Sequence, residues 1–308
     1  MAYAVTNPGR SVQKEVRRIA RRQIDDAIAT IDARRPLTET VHDLRKRCKK
    51  VRALLRLVRP CFPDYAGENA VFRNAAQSLS FLRDAAVSSA IYDAIAEAHH
   101  GRMRGFAGIR RVLLTRQKQT LNDKQVIAAR LAAFRAAMIA ARERAGRWTI
   151  DAAGFDALAG GLAKTYKRAR AGMKAAEAHG RAADFHEWRK RVKYHGYHTR
   201  LLEPVWPREL TAHRQAADEL NDLLGEHHDL AVFESVLRGQ SDAFGTVDID
   251  GFAALLNERQ DELAIEALVI GRRLLTEPPK TLVKRWRDWW TIWHKEGLEA
   301  APAVRVRA

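Results

Sequence analysis

The chain has 308 residues, 46% hydrophobic and 30% charged, enough for one large domain or two medium ones with real cores. A formal net charge of +17 points to polyanions as partners: nucleic acid, polyphosphate, phosphorylated metabolites or anionic lipid. The two cysteines, Cys48 and Cys61, have no CxxC partner, which argues against a disulfide framework or a zinc site, and the sequence offers neither a signal peptide nor an apolar run of membrane-spanning length, so a cytoplasmic protein is expected.

Residues 1–9 read as a flexible lead ending in Asn7-Pro8-Gly9. A helical pattern follows from Arg10 to Ala33, with Val12, Val16, Ile19, Ile24, Ala27, Ile28 and Ile31 on an apolar side. Arg10, Lys14, Arg17, Arg18 and Arg21 fall together on one basic face. Pro36 breaks the chain, and a second helix is predicted from Thr38 to Arg59. Here Val41, Leu44, Cys48, Val51, Leu55 and Val58 form the apolar stripe, beside a face of His42, Arg45, Lys46, Lys49 and Arg56. A third helix is predicted over 67–98, then one or two alanine-rich helices over 102–145. Residues 146–154 are the expected joint between halves.

The second half is predicted to open with a helix over 155–178 carrying Lys164, Lys167 and Arg168. A basic helix over 185–203 has Phe185, Trp188, Val192 and Leu202 on its apolar side and His186, Arg189, Lys190, Lys193 and Arg200 on its cationic side. Helices over 210–237, 252–276 and 280–296 follow, with a Gly/Ser/Asp loop before Gly251 and Pro278-Pro279 before the last. Trp286, Trp289, Trp290 and Trp293, at i, i+3, i+4 and i+7, read as a core-facing stripe. Few stretches alternate with period two, so no sheet is expected.

Two of these segments are copies of one another. VHDLRKRCKKVRALLRLVRPCFP (41–63) and FHEWRKRVKYHGYHTRLLEPVWP (185–207) keep a histidine, five basic positions and both prolines at one offset, His42 to His186 and Pro63 to Pro207. LSFLRDAAV (79–87) parallels LGEHHDLAV (224–232), setting Arg83 against His228 and Asp84 against Asp229. Lys164, Lys167 and Arg168 echo Lys14, Arg17 and Arg18. The expected architecture is all-α: two pseudo-symmetric four-helix bundles, residues 10–148 and 149–297, packed side by side, with a tail from 298.

The H-x-x-R-K/R-x-x-K pattern, present twice, resembles the CHAD domain (conserved histidine α-helical domain). Its second signature, an Arg/His-Asp-hydrophobic helix, matches Arg83-Asp84 in the first half and Asp229 in the second, where His228 is a departure. The resemblance spans nearly the whole chain. It implies one domain of two bundles around a basic central groove or pore that binds inorganic polyphosphate, with no catalytic role. In this reading the basic and histidine positions named above contact phosphate, and Asp84 and Asp229 orient the arginines. His228, standing where the first copy has Arg83, implies a contact there that is weaker or dependent on pH.

The residues by themselves leave other readings open. Basic stripes can serve nucleic acid, although aromatics do not interleave with those at 10–22 and 42–59 as a stacking platform requires. A phosphate-chain hydrolase or transferase would need a metal. His195 with His198 and the His227-His228-Asp229 cluster lack a completing ligand set. Asp218, Glu219 and Asp222 could hold magnesium but more simply balance nearby bases. Asp248-Ile-Asp250-Gly has only the start of a calcium loop, and residues 160–165 lack the Gly-Lys step of a phosphate loop. No metal or cofactor is expected.

Overall fold

The computed structural model describes residues 3–33 and 35–299, and the side chains of all of these except 83–86 and 100. The expectations for Arg83 and Asp84, and for most of the tail, therefore lie outside the described residues. What is described is all-helical: eleven α-helices, joined in part by short 3-10 turns, and no strand. The first half holds α1 (Val12–Asp32), α2 (Leu37–Leu57), α3 (Tyr65–Gln77), α4 (Ser80–Ala98), α5 (Ala107–Asn122) and α6 (Lys124–Ala145). The second holds α7 (Asp156–His179), α8 (Ala182–Leu202), α9 (Pro207–Gly239), α10 (Ile249–Leu274) and α11 (Pro279–Glu299). None is long and apolar enough to cross a membrane.

The helices form where apolar spacing and end signals coincide. Ser11 caps α1 by accepting from the Lys14 amide. Every residue of the Val41-to-Val58 stripe is buried. Both repeated helices run out into a 3-10 turn holding the conserved-register proline, Arg59–Cys61 after α2 and Glu203–Val205 after α8. The count departs from four helices per half. The predicted helix over 67–98 is broken at Ser78-Leu79: Ser78 Oγ donates to the Ala75 carbonyl, and Arg45 Nη1 donates to the Ala76 carbonyl at 2.9 Å, taking up an acceptor at the end of α3. Asp123 starts α6 afresh, its side chain accepting from the Val126 amide.

Packing joins α1 to α2 and α6, α7 to α8 and α11, and α8 to α9, which in turn packs on α10. The halves meet where α2 lies on α7 and α8 and where α4 lies on α9. The main apolar core runs from α1 and α2 through α8 to Trp286 and Trp290 of α11. A second core, built on Phe252 with the rings of Tyr92, Phe106 and Phe233 around it at 5.2 to 6.0 Å, draws on α4, α5, α9 and α10. Each core thus mixes both halves.

The lead, expected to be flexible, is packed from Tyr3 on, and so is the expected joint between the halves. From Tyr3 the lead lies against the body: Tyr3, Ala4 and Val5 are buried, the Val5 amide donates to the Leu201 carbonyl, and Tyr3 Oη donates to the Lys50 carbonyl. In the joint, Trp148 is buried and the Asp151 amide donates to the Cys61 carbonyl.

Candidate functional site

The repeated helices α2 and α8 converge on one cleft, with α9 as its opposite wall and Ile91 of α4 at its edge. Counted to its open mouth it is about 1450 Å³. His42, Lys46 and Lys49 reach it from α2; Arg189, Lys193 and Arg200 reach it from α8. The two copies contribute unequally. Lys49 and Lys193 are the equivalent pair that meets there, whereas the equivalents of His42, Lys46, Arg189 and Arg200 point elsewhere.

α9 brings carboxylates to the same space: Asp218, Asp222, Glu226 and Asp229, at i, i+4, i+8 and i+11, form one face. The repeat marks the bases and Asp229 but not the rest of this wall, since acids spaced along one helix carry no sign of the cleft they line. Part of the wall positions arginines. Asp218 pairs with Arg200 at 3.1 Å and Arg214 at 2.8 Å, and Glu226 accepts from Arg259 at 2.8 Å. Asp229 lines the cleft.

The other expected site residues are placed away from the cleft. On α1, Glu15 is buried under Arg10 and Arg18, paired at 2.8 and 2.7 Å. Burial pushes the Glu15 carboxyl up, but bonds from Arg18, the Thr6 amide and Arg10 outweigh it and hold the pKa below the usual range. Arg17 donates to the Trp148 carbonyl at 2.7 Å. The basic face of α1 is in large part a clamp on the N-terminal segment and the joint, with Lys14 and Arg21 exposed. Lys190 pairs with Glu187, and Lys167 is exposed on α7. Arg56, Lys164 and Arg168 meet in a different hollow, with Arg191.

Six of the histidines fall into three sets. His42 is exposed at the cleft. His186 and His228 stack on each other, ring centroids 4.0 Å apart, off the cleft lining. Burial, then His186 and Arg189, push the His228 pKa down to about 3, so the free protein holds it neutral near pH 7. His195, His198 and His213 are structural: His195 and His213 share a 2.7 Å Nε2–Nε2 bond under Trp286, and His198 Nε2 donates to the Ala53 carbonyl at 2.9 Å, tying α8 to α2. Asp248 caps α10 by accepting from the Gly251 amide, and Asp250 pairs with Arg238.

The family model for the CHAD domain matches residues 18–238. In overall fold the chain is similar to PptA from Streptomyces chartreusis, with a TM-score of 0.57 at 14% identity, covering 86% of this chain and 99% of that one. Among curated proteins nothing matches.

Proposed function

This chain belongs to the CHAD-domain family, and we propose that it binds inorganic polyphosphate, without turning it over, in the cleft between α2, α8 and α9. One observation carries the reading: Lys46 and Lys49 from the first copy of the repeat and Arg189, Lys193 and Arg200 from the second line one open groove. A polyphosphate chain is flexible and offers only phosphate oxygens. Its recognition needs spaced cationic donors, bidentate from arginine and mobile from lysine, and no reading of base edges. The reading takes the two halves as duplicated bundles facing each other across this groove. It also puts the protein in the cytoplasm on polyphosphate granules. The α9 carboxylates fit a binding role because Asp218 and Glu226 are engaged by arginines.

Polyphosphate of defined length, titrated against the full chain, tests it. Lys49→Gln with Lys193→Gln is expected to weaken binding about tenfold or more with folding intact. Unchanged affinity in that variant overturns the cleft. Competition by DNA and RNA distinguishes the nucleic-acid alternative, which requires nucleic acid to displace polyphosphate at lower phosphate concentration than the reverse. Orthophosphate release from the chain in magnesium would replace binding with a hydrolase or transferase.

A further inference from the structure

A second basic hollow lies between the end of α2, the middle of α7 and the side of α8 turned away from the cleft. Five cations line it, Arg56, Arg59, Lys164, Arg168 and Arg191, and no carboxylate does. It shares no residue with the cleft. On α8, Arg191 stands roughly 160° around the helix from Lys193, so the helix itself separates the two spaces.

These cations are brought together by packing. The Arg56 guanidinium lies over the Tyr194 ring at 4.1 Å and donates to Asn69 Oδ1 at 2.7 Å; Arg59 lies over Tyr65 at 4.6 Å. The α7 pair is delivered by Gly161. A Cβ there would sit 1.9 Å from the Leu57 carbonyl oxygen, so only glycine lets α7 cross the end of α2 this closely. Lys164 and Arg168 follow, one turn apart on one face, both exposed. Arg191 pairs with Glu187 at 3.2 Å. For the other four, no carboxylate among the described residues lies within ion-pair distance. Four unbalanced cations around a concavity repel one another, and an anion relieves that repulsion.

Size and charge select the anion. The hollow is shallow and small beside the cleft, about 300 Å³ against about 1450 Å³ with open solvent counted in both. A phosphate inside a chain carries one charge and needs room for a neighbour on both sides. A terminal phosphate needs room on one side, and its second ionisation, with a pKa near about 6, brings it towards two charges at neutral pH. We propose that this hollow is a separate anion site for a single terminal phosphate group: that of pyrophosphate, of a free polyphosphate end, or orthophosphate itself. It stands independently of the cleft reading.

Calorimetric titration of the full chain with pyrophosphate tests it. Lys164→Gln with Arg168→Gln, made in a Lys49→Gln, Lys193→Gln background that takes the cleft out of the readout, is expected to weaken the remaining pyrophosphate binding about tenfold or more. Arg168→Lys is expected to keep most of the binding. Orthophosphate binding lost in the same α7 variant would identify free phosphate as a ligand. Tighter binding by free-ended chains than by end-capped ones, abolished in that variant, would identify the chain end. Should the variant fold poorly, protection of Lys164 from amine acylation by pyrophosphate reads the same contact in the wild type. Absence of pyrophosphate binding, binding indifferent to the α7 pair, or no protection of Lys164 overturns the site.

Discussion

His198 shows how a single residue ties stability to pH. It is fully buried, bonds the Ala53 carbonyl across the contact between α8 and α2, and is held neutral: burial pushes its pKa down to about 4, the carbonyl pulls weakly the other way, and Arg56 adds to the lowering. The unfolded chain takes up this proton as the pH falls through about 6.5, the folded chain only near 4, so stability falls across that window and levels below it. The contribution is of order 3 kcal/mol. Thermal unfolding between pH 7 and pH 4 is expected to show a steep loss, shared with His213, which burial and then Arg285 also push down to about 4. His198→Gln keeps a donor for Ala53 and should make the slope shallower; a slope identical to the wild type would remove His198 from the account. His228 leads to the opposite expectation for binding. Since it is neutral and off the cleft lining, His228→Gln should leave the pH dependence of polyphosphate affinity between pH 8 and 6 unaltered, and any flattening would return it to the site.

At the scale of elements, the crossing of α7 over the end of α2 is set by one glycine. Gly161→Ala must push apart two backbones, because the added Cβ meets the carbonyls of Leu57 and Arg56 at 1.9 and 2.4 Å. A destabilisation of about 2 kcal/mol or more is expected in denaturant unfolding. Gly67→Ala is the control: nothing lies within 4 Å of its Cβ in α3, so it should be neutral or stabilise by about 0.5 kcal/mol. Equal effects at both positions would deny the close crossing. This crossing also marks where the sequence stopped being legible. The apolar stripe from Val41 to Val58, the tryptophan stripe ending in Trp286 and Trp290, and the proline-terminated ends of α2 and α8 were readable because each is set by local periodicity or a local breaker. The break between α3 and α4 was not, since the donor that accommodates it, Arg45, comes from another helix. The cleft was half readable. Lys46, Lys49, Arg189, Lys193 and Arg200 stand out in the repeat, but which member of each repeated pair faces the cleft depends on how α2 and α8 rotate against α9, and periodicity within one helix carries no such information. The basic face of α1 was misleading for the same reason: Glu15, buried beneath it, converts Arg10 and Arg18 from ligand contacts into struts.

Over the whole molecule the net charge of +17 draws polyanions, yet the cleft is not uniformly positive. The α9 wall faces five lysines and arginines with four carboxylates. On the proposed reading such a surface restrains non-specific adhesion: a polyanion gains free energy where cations exceed acids and meets the acidic face of α9, Asp222 above all, if it lies too close to that helix. Binding in the cleft should therefore combine counterion release with a fixed path for the chain. With about five cationic contacts and a release of roughly 0.7 counterion for each on a flexible single chain, the logarithm of the association constant is expected to fall against the logarithm of salt concentration with a slope of order −3. Lys49→Gln with Lys193→Gln removes two contacts and should bring that slope nearer to −2. Asp222→Asn with Glu226→Gln should raise affinity for polyphosphate and for DNA alike, and raise DNA more, because the wall that confines a thin chain is also what excludes a wide one. A wild-type affinity nearly flat in salt would point to a small pocket in place of a track, and an acid-wall variant with unchanged DNA binding would show that selectivity arises elsewhere than on α9.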